Sequence, residues 1–179
     1  MRIISGARKG HKLLDFEGMD IRPTTDRVKE SMFNLIQQNI SEAKVLDVFG
    51  GSGALTFEAL SRGAECAVCI DKDKRSVDII RKNAKTLDYE DKCEILNTDS
   101  MEYLSRCNEK FDIIFLDPPY NKGFIEPVLD IIAKKGILSD EGIIVLESDD
   151  TDFCSDIEGL ERIKQRKYGR TYVTVYKKL

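Results

Sequence analysis

Asp117-Pro118-Pro119-Tyr120 follows directly on the apolar run at residues 111–116. A carboxylate, two rigid prolines and an aromatic ring are thereby delivered at the end of what reads as a buried strand. The combination suits methyl transfer to an exocyclic amine of a nucleobase. Such an amine is a poor nucleophile, because its lone pair is delocalised into the ring. It becomes reactive when both N–H groups donate to fixed acceptors and the nitrogen pyramidalises toward a methyl donor. Asp117 offers a carboxylate and Pro118 a backbone carbonyl. The prolines fix φ and hold each preceding residue extended, so both acceptors are preorganised. Tyr120 supplies a flat face on which an extruded base stacks, worth about 1–3 kcal/mol.

The other strand-like runs also end in residues with chemistry. The first ends in Asp47-Val48-Phe49-Gly50-Gly51-Ser52-Gly53, and the next three in Asp71, in Asp99-Ser100 and in Asp117; a fifth ends in Glu147. Gly51 and Gly53 let a ligand lie against the main chain. The helix that follows aims free N–H groups into the same space. Thr56 stands where a dinucleotide fingerprint has its third glycine, which disfavours a pyrophosphate. Asp71, 18 residues after Gly53, is placed to accept from ribose hydroxyls, and Asp99 to meet an adenine amine. Ribose and adenine without pyrophosphate describe S-adenosyl-L-methionine.

The elements that must position these residues alternate. An N-capped helix is expected from Thr24 or Thr25, with an apolar stripe of Val28, Met32, Leu35, Ile36 and Ile40. Strands are predicted at 44–49, 66–71, 92–97, 111–117 and 142–147. Helices are predicted at 54–62, 74–87 and 124–135, with a short one in Ser-Met-Glu-Tyr-Leu-Ser-Arg. The end of the chain reads as an antiparallel β-hairpin about Tyr168-Gly169. This order implies an α/β, doubly wound, mostly parallel seven-stranded sheet with a C-terminal hairpin, binding its ligand at the carboxyl ends of the strands.

At 179 residues the chain is expected to form one domain, residues 24–179 being the core and 1–23 a basic extension. The net charge of −4 is unevenly spread: residues 1–12 and 162–179 carry bases and no acid, which leaves −15 to residues 13–161. Basic ends on an acidic body suggest a local polyanion-binding surface. Cys66 and Cys69 form a C-x-x-C, but on a strand they face opposite sides, so two buried thiols are the better reading. His11 has no partners for a triad or metal cluster. No metal is expected. With no apolar run of membrane length and no signal-peptide core, a cytoplasmic protein is expected.

With these residues in view, the chain resembles the class I S-adenosylmethionine-dependent methyltransferases. More narrowly, it resembles the bacterial family that methylates the N2 amine of a guanine in 16S ribosomal RNA. The likeness runs nearly end to end, through RIISGARKGHKL, RPTTDRVKESMFN, DVFGGSGALTFEALSRGA, IDKD, DPPY and VLES. It implies cofactor contacts at Asp47, Phe49, Gly50, Gly51, Gly53, Asp71, Asp99 and Ser100, and a catalytic tetrad of Asp117, Pro118, Pro119 and Tyr120. It also implies RNA contacts from basic residues including Arg8, Lys9, Lys12, Arg22, Arg27 and Arg170. The partner would be 16S rRNA or a 30S particle, met by a monomer. Where the family usually has Phe-Ala-Gly-Ser-Gly this chain has Phe-Gly-Gly-Ser-Gly, and Gly50 is expected only to loosen the turn. Asp-Pro-Pro-Tyr alone is shared with adenine-N6 methyltransferases of DNA or RNA, which remain the alternative enzyme. A methyltransferase-like module that binds RNA without turnover would show a damaged tetrad or glycine loop, and neither is damaged.

Overall fold

A computed structural model describes residues 1–16, 25–119, 123–149 and 156–179. Its centre is a seven-stranded sheet of order β3-β2-β1-β4-β5-β7-β6. The strands are β1 (Lys44–Asp47), β2 (Cys66–Asp71), β3 (Cys93–Asn97), β4 (Phe111–Leu116), β5 (Leu138–Ser148), β6 (Leu160–Tyr168) and β7 (Thr171–Lys178). Strands β1 to β5 pair in parallel, and β7 runs antiparallel between β5 and β6. The chain winds outward from β1 to β3, then crosses back to lay β4 on the other side of β1. The β1–β4 boundary is therefore the point where strand order reverses, and a crevice opens there at the carboxyl ends.

Among the described residues six α-helices clothe the sheet: α1 (Asp26–Leu35), α2 (Gln37–Ile40), α3 (Ala54–Ser61), α4 (Lys74–Thr86), α5 (Ser100–Arg106) and α6 (Ile125–Lys135). Alternating strand residues separate the core into two layers. Val45, Ile113, Phe115, Val145 and Val175 pack with α1 to α4. Leu46, Ile114, Leu116, Ile144 and Leu146 pack with α5 and α6. Local chemistry sets the helix ends. Thr25, Asp73 and Asp99 each accept a backbone N–H as N-caps, and Gly136, left-handed at φ 65, closes α6. Pro127 falls in the first turn of α6, where no intrahelical N–H is lost.

Two expectations shift. The first-helix stripe is rotated: Phe33 is fully buried while Leu35 is only half-buried, and Lys29 joins the buried face. Strand β5 begins at Leu138 rather than 142, because Leu138 pairs with Phe111 before a bulge restores pairing at Ile143. Asp112 holds the bulge, accepting from the Ser139 hydroxyl at 2.7 Å and the Lys44 N–H at 2.9 Å.

The basic N-terminal residues are docked rather than free. Residues 1–13 fold back on themselves through Ile3 N–H to His11 O and Leu13 N–H to Met1 O. Ile3 and Leu13 enter the core layer with α1 and α3. Both oxygens of the buried Glu58 are used in this docking. They accept the Ile4 and Ser5 amides at 2.9 and 3.1 Å and pair with Lys29 at 3.2 Å and Arg62 at 2.8 Å. Lys29 and Glu58 have side chains at 0% exposure, and burial lowers the Lys29 pKa against the opposing pull of Glu58. Gly6 is a close approach: a Cβ there would lie 1.8 Å from the Ser61 carbonyl oxygen.

Candidate active site

The crevice at the switch point is an open cavity of about 420 Å³, lined among others by Asp47, Phe49, Asp71, Asp99, Asp117 and Phe124. That volume lies within the roughly 300–1,000 Å³ typical of small-molecule sites. Backbone bonds across the strand ends fix its floor. Val48 N–H donates to Phe115 O across β1 and β4 at 3.1 Å, and Gly50 N–H donates to Ile70 O of β2 at 2.8 Å. The Asn97 amide donates to the Asp71 and Lys72 carbonyls, tying the end of β2 to β3.

Asp47 ends β1 and is buried beside the first turn of α3. Its Oδ2 accepts from the Thr56 hydroxyl at 2.8 Å, while its buried Oδ1 has no hydrogen-bond partner among the described residues. Burial raises its pKa to about 6, with Asp71 adding to the rise and hydrogen bonds from Thr56 and the Phe49 amide opposing it. A buried carboxylate with one unsatisfied oxygen is complementary to a cation. The ionised form costs the fold on the order of 3 kcal/mol. Because the folded pKa lies above the unfolded 3.8, that cost is absent below pH 4 and grows as pH rises through about 6.

The glycine loop is built for close approach. Gly51 has φ +57, and a Cβ there would meet nothing within 4 Å, so its face is open toward the crevice. Gly53, at φ +81, is the N-cap of α3, and a Cβ would lie 2.4 Å from the Phe57 ring. Asp71 braces this loop. Its Oδ2 accepts the Gly51 N–H at 2.9 Å and its Oδ1 the Asp73 N–H at 2.8 Å. Each oxygen keeps a lone pair for a ligand hydroxyl. Asp99 Oδ1 accepts the Met101 and Glu102 amides as the cap of α5, so the carboxylate orients both helix and crevice. Ser100 lies behind it and also lines the cavity.

Gly50 corrects its expectation. It does not loosen the turn, because Cys69 and Ile80 fill the space a side chain would occupy: a Cβ would lie 2.6 Å from Cys69 Sγ and 2.8 Å from Ile80 Cδ1. Gly50→Ala is expected to lower stability by about 1–3 kcal/mol through overpacking. Adding Cys69→Ala should recover part of that loss. Thermal unfolding of the two single variants and the double variant measures the coupling, and strictly additive effects would contradict this packing account.

Several neighbours of the crevice carry no motif. Phe124, from the loop after the prolines, packs on Phe49 with ring centroids 6.1 Å apart, and the Lys72 ammonium lies 5.5 Å from the centre of the Phe124 ring. The buried Asn83 of α4 bonds both ways to the Leu14 main chain and donates to Ser52 O at 2.9 Å, clamping the N-terminal segment to the glycine loop. Through that clamp Asp15 and Phe16 reach the cavity wall. Phe124 is legible in the sequence only as an aromatic residue next to the motif; Asn83 lies on the buried face of α4, but its neighbours along the chain are charged and nothing in the pattern marks it.

Asp117 and the buried Pro118 follow β4 and line the crevice together with Asp47, and Pro119 is exposed beside them. Tyr120 and Arg22 lie outside the described residues. The basic residues are sorted by the fold. Arg8 donates to the Leu87 carbonyl and pairs with Asp88 at 3.2 Å, at the far ends of α3 and α4. It stands about one α3 length, roughly 12 Å, from the glycine loop. Lys9 lies in the same turn, while Lys9, Lys12, Arg27 and Arg170 are all exposed.

Of the two thiols expected to be buried, Cys69 is, while Cys66, at the start of β2, is only half-buried; Cys93 is also a buried free thiol, and burial pushes it up to about 12. Cys154 lies outside the described residues. Among the described residues no cluster of three or more His, Cys, Asp or Glu could hold a metal ion, and no helix is long and apolar enough to cross a membrane.

Comparison with known proteins extends this geometry. The family model described as conserved hypothetical protein 95 matches residues 1–177. YlbH from Bacillus subtilis, provisionally named an rRNA methyltransferase, is 37% identical over 182 residues, covering 99% of each chain. Ribosomal RNA small subunit methyltransferase D from Escherichia coli K12 is 38% identical over 149 residues, covering 83% of this chain and 75% of its own. Among solved structures, yhhF from Escherichia coli, provisionally described as a methyltransferase, matches with a TM-score of 0.90 at 34% identity, over 99% of this chain and 97% of that one. A sheet of this order, a crevice at its switch point and a match along almost the whole chain lead to one conclusion: the protein belongs to the conserved hypothetical protein 95 family, the class I methyltransferase family that includes the ribosomal RNA small subunit methyltransferase D proteins.

Proposed function

We propose that the protein transfers a methyl group from S-adenosyl-L-methionine to the exocyclic N2 amine of a guanine in small-subunit ribosomal RNA. The observation that supports this reading is that Asp47, whose buried Oδ1 has no partner among the described residues, and Asp117 line one crevice at the β1–β4 switch point. The cofactor fits residue by residue. The orphaned Asp47 Oδ1 would face its ammonium group, the open Gly51 surface its chain, and Asp71 its ribose hydroxyls; Asp99 would sit near the adenine. When bound, the cofactor supplies a methyl group already activated on a sulfonium sulfur.

The chain supplies the rest. Asp117 and the Pro118 carbonyl hold the two amine N–H groups, so the nitrogen lone pair is directed at the methyl carbon rather than shared with the ring. Methyl transfer would place positive charge on the amine nitrogen. The Asp117 carboxylate stabilises that charge and receives the proton lost. Guanine rather than adenine rests on the family resemblance carried by RPTTDRVKESMFN and DVFGGSGALTFEALSRGA, and the ribosomal substrate on what the relatives are named for.

Two measurements bear on this. Ribosomal RNA from cells lacking the protein should lose one N2-methylguanosine from the small subunit and regain it on complementation; an unchanged nucleoside profile would refute the assignment. Cofactor affinity should also depend on Asp47. Only its ionised form attracts the ammonium, so calorimetric affinity should be highest near pH 7, where the cofactor's amino group is still protonated, and fall about tenfold by pH 5. A flat profile down to pH 5 would remove Asp47 from the cofactor site.

A further inference from the structure

We propose that the tip of the β6–β7 hairpin is a contact surface for the RNA backbone, with Arg166, Lys167 and Arg170 holding phosphates beside the target nucleotide. This rests on the RNA methyltransferase reading above. Strand register places the tip. Pairing carries Leu116 of β4 to Leu146 of β5, then to Thr174 of β7 and Gln165 of β6. One residue further on, Arg166 therefore stands level with Asp117, at the carboxyl end of the sheet. Three strand spacings separate them, about 14 Å, a span of a few nucleotides. Arg166 lies opposite the buried Val173 and so shares its face, Lys167 lies on the other face against the Tyr172 ring, and Arg170 occupies the turn itself. All three are exposed.

Pairing along the hairpin supports an outside partner. At the end away from the crevice, Lys177 pairs with Glu161 at 3.1 Å and Lys178 with Asp140 at 2.7 Å. At the crevice end, Arg166, Lys167 and Arg170 form no ion pair with any described carboxylate, although Asp149 follows β5 directly and Asp156 precedes β6. Charged residues on an edge strand do discourage strand-to-strand aggregation. That purpose would be served equally at both ends and does not explain why Lys177 and Lys178 have carboxylate partners while Arg166, Lys167 and Arg170 have none among the described residues; at the far end Arg162, also exposed, has none either. Phosphates would supply the missing anions, and arginine suits them through its bidentate fork.

The test compares Arg166→Ala/Lys167→Ala/Arg170→Ala with Lys177→Ala/Lys178→Ala, after wild-type methylation of small-subunit RNA or particles has been established. Binding of that substrate is measured across salt concentration, and cofactor binding by calorimetry. The tip variant should bind the substrate at least tenfold more weakly, with the log–log salt slope reduced by about 2, as loss of three phosphate contacts predicts. Its cofactor affinity should stay at the wild-type value, and Arg166→Lys/Arg170→Lys should restore most of the binding. The far-end variant should bind like wild type. Unchanged affinity and slope in the tip variant, or equal losses in both variants, would overturn the proposal. A wild-type protein that binds cofactor yet methylates no RNA would instead overturn the reading on which it rests.

Discussion

Asp117→Ala is expected to lower methyl transfer by about 10²–10³-fold, the cost typical of removing one preorganised partner of transition-state charge. Cofactor affinity should change far less, because Asp47, Asp71 and the glycine loop remain. The fall should appear in kcat rather than in the KM for RNA, since the amine–carboxylate contact strengthens as positive charge develops on nitrogen. Single-turnover methylation with saturating cofactor reads the chemical step directly. Full-rate transfer by this variant would mean that the carboxylate after β4 merely closes a turn.

Glu58→Ala should have the largest effect on stability. The substitution strips four partners at once: the Ile4 and Ser5 amides, Lys29 and Arg62. It leaves the Lys29 ammonium buried without its counter-charge, a loss of about 3–5 kcal/mol. For a chain of this size that corresponds to roughly 10–15 °C in Tm. The pH dependence identifies the cause. In the variant Lys29 prefers to be neutral when folded, so the unfolded state binds more protons and stability should rise as pH climbs toward 10.5. Proteolysis within residues 1–14 should accelerate in parallel, because this carboxylate anchors the N-terminal segment. A variant that melts within 1 °C of wild type would show that the buried pair does not hold that segment.

The sheet was legible in the sequence because a parallel strand buried on both faces is a short apolar run, and each run here ends at an acid or a glycine turn. Cys66–Asp71 matches its predicted limits for that reason. The start of β5 was hidden by Ser139-Asp140-Glu141-Gly142, a composition that signals a turn but here forms a bulge. Lys29 and Glu58 were invisible for a different reason. A lysine in a helix reads as solvated, and only the packing of α1 on α3 shows that the two charges bury each other. Gly50 was misread because a glycine's neighbours in space, Cys69 and Ile80, come from two other elements.

The basic ends show the same limit in the candidate site. Charge along a line marks a polyanion surface but not its location. Folding spends Arg8 on the ends of α3 and α4 and carries Arg166 to the level of Asp117. Asp47, Asp71, Asp99 and Asp117 needed no such sorting, because a doubly wound sheet sends the carboxyl ends to one side; Glu147, buried where β5 pairs with β7, is not among the cavity-lining residues.

The central claim, a guanine N2 amine held by Asp117 beside an adenosyl cofactor, is tested most directly by the identity of the methylated nucleoside. Purified protein is incubated with methyl-labelled S-adenosyl-L-methionine and small-subunit particles lacking the modification, and the RNA is digested to nucleosides and separated. The account predicts label in N2-methylguanosine, abolished by Asp117→Ala; label in N6-methyladenosine instead would contradict it.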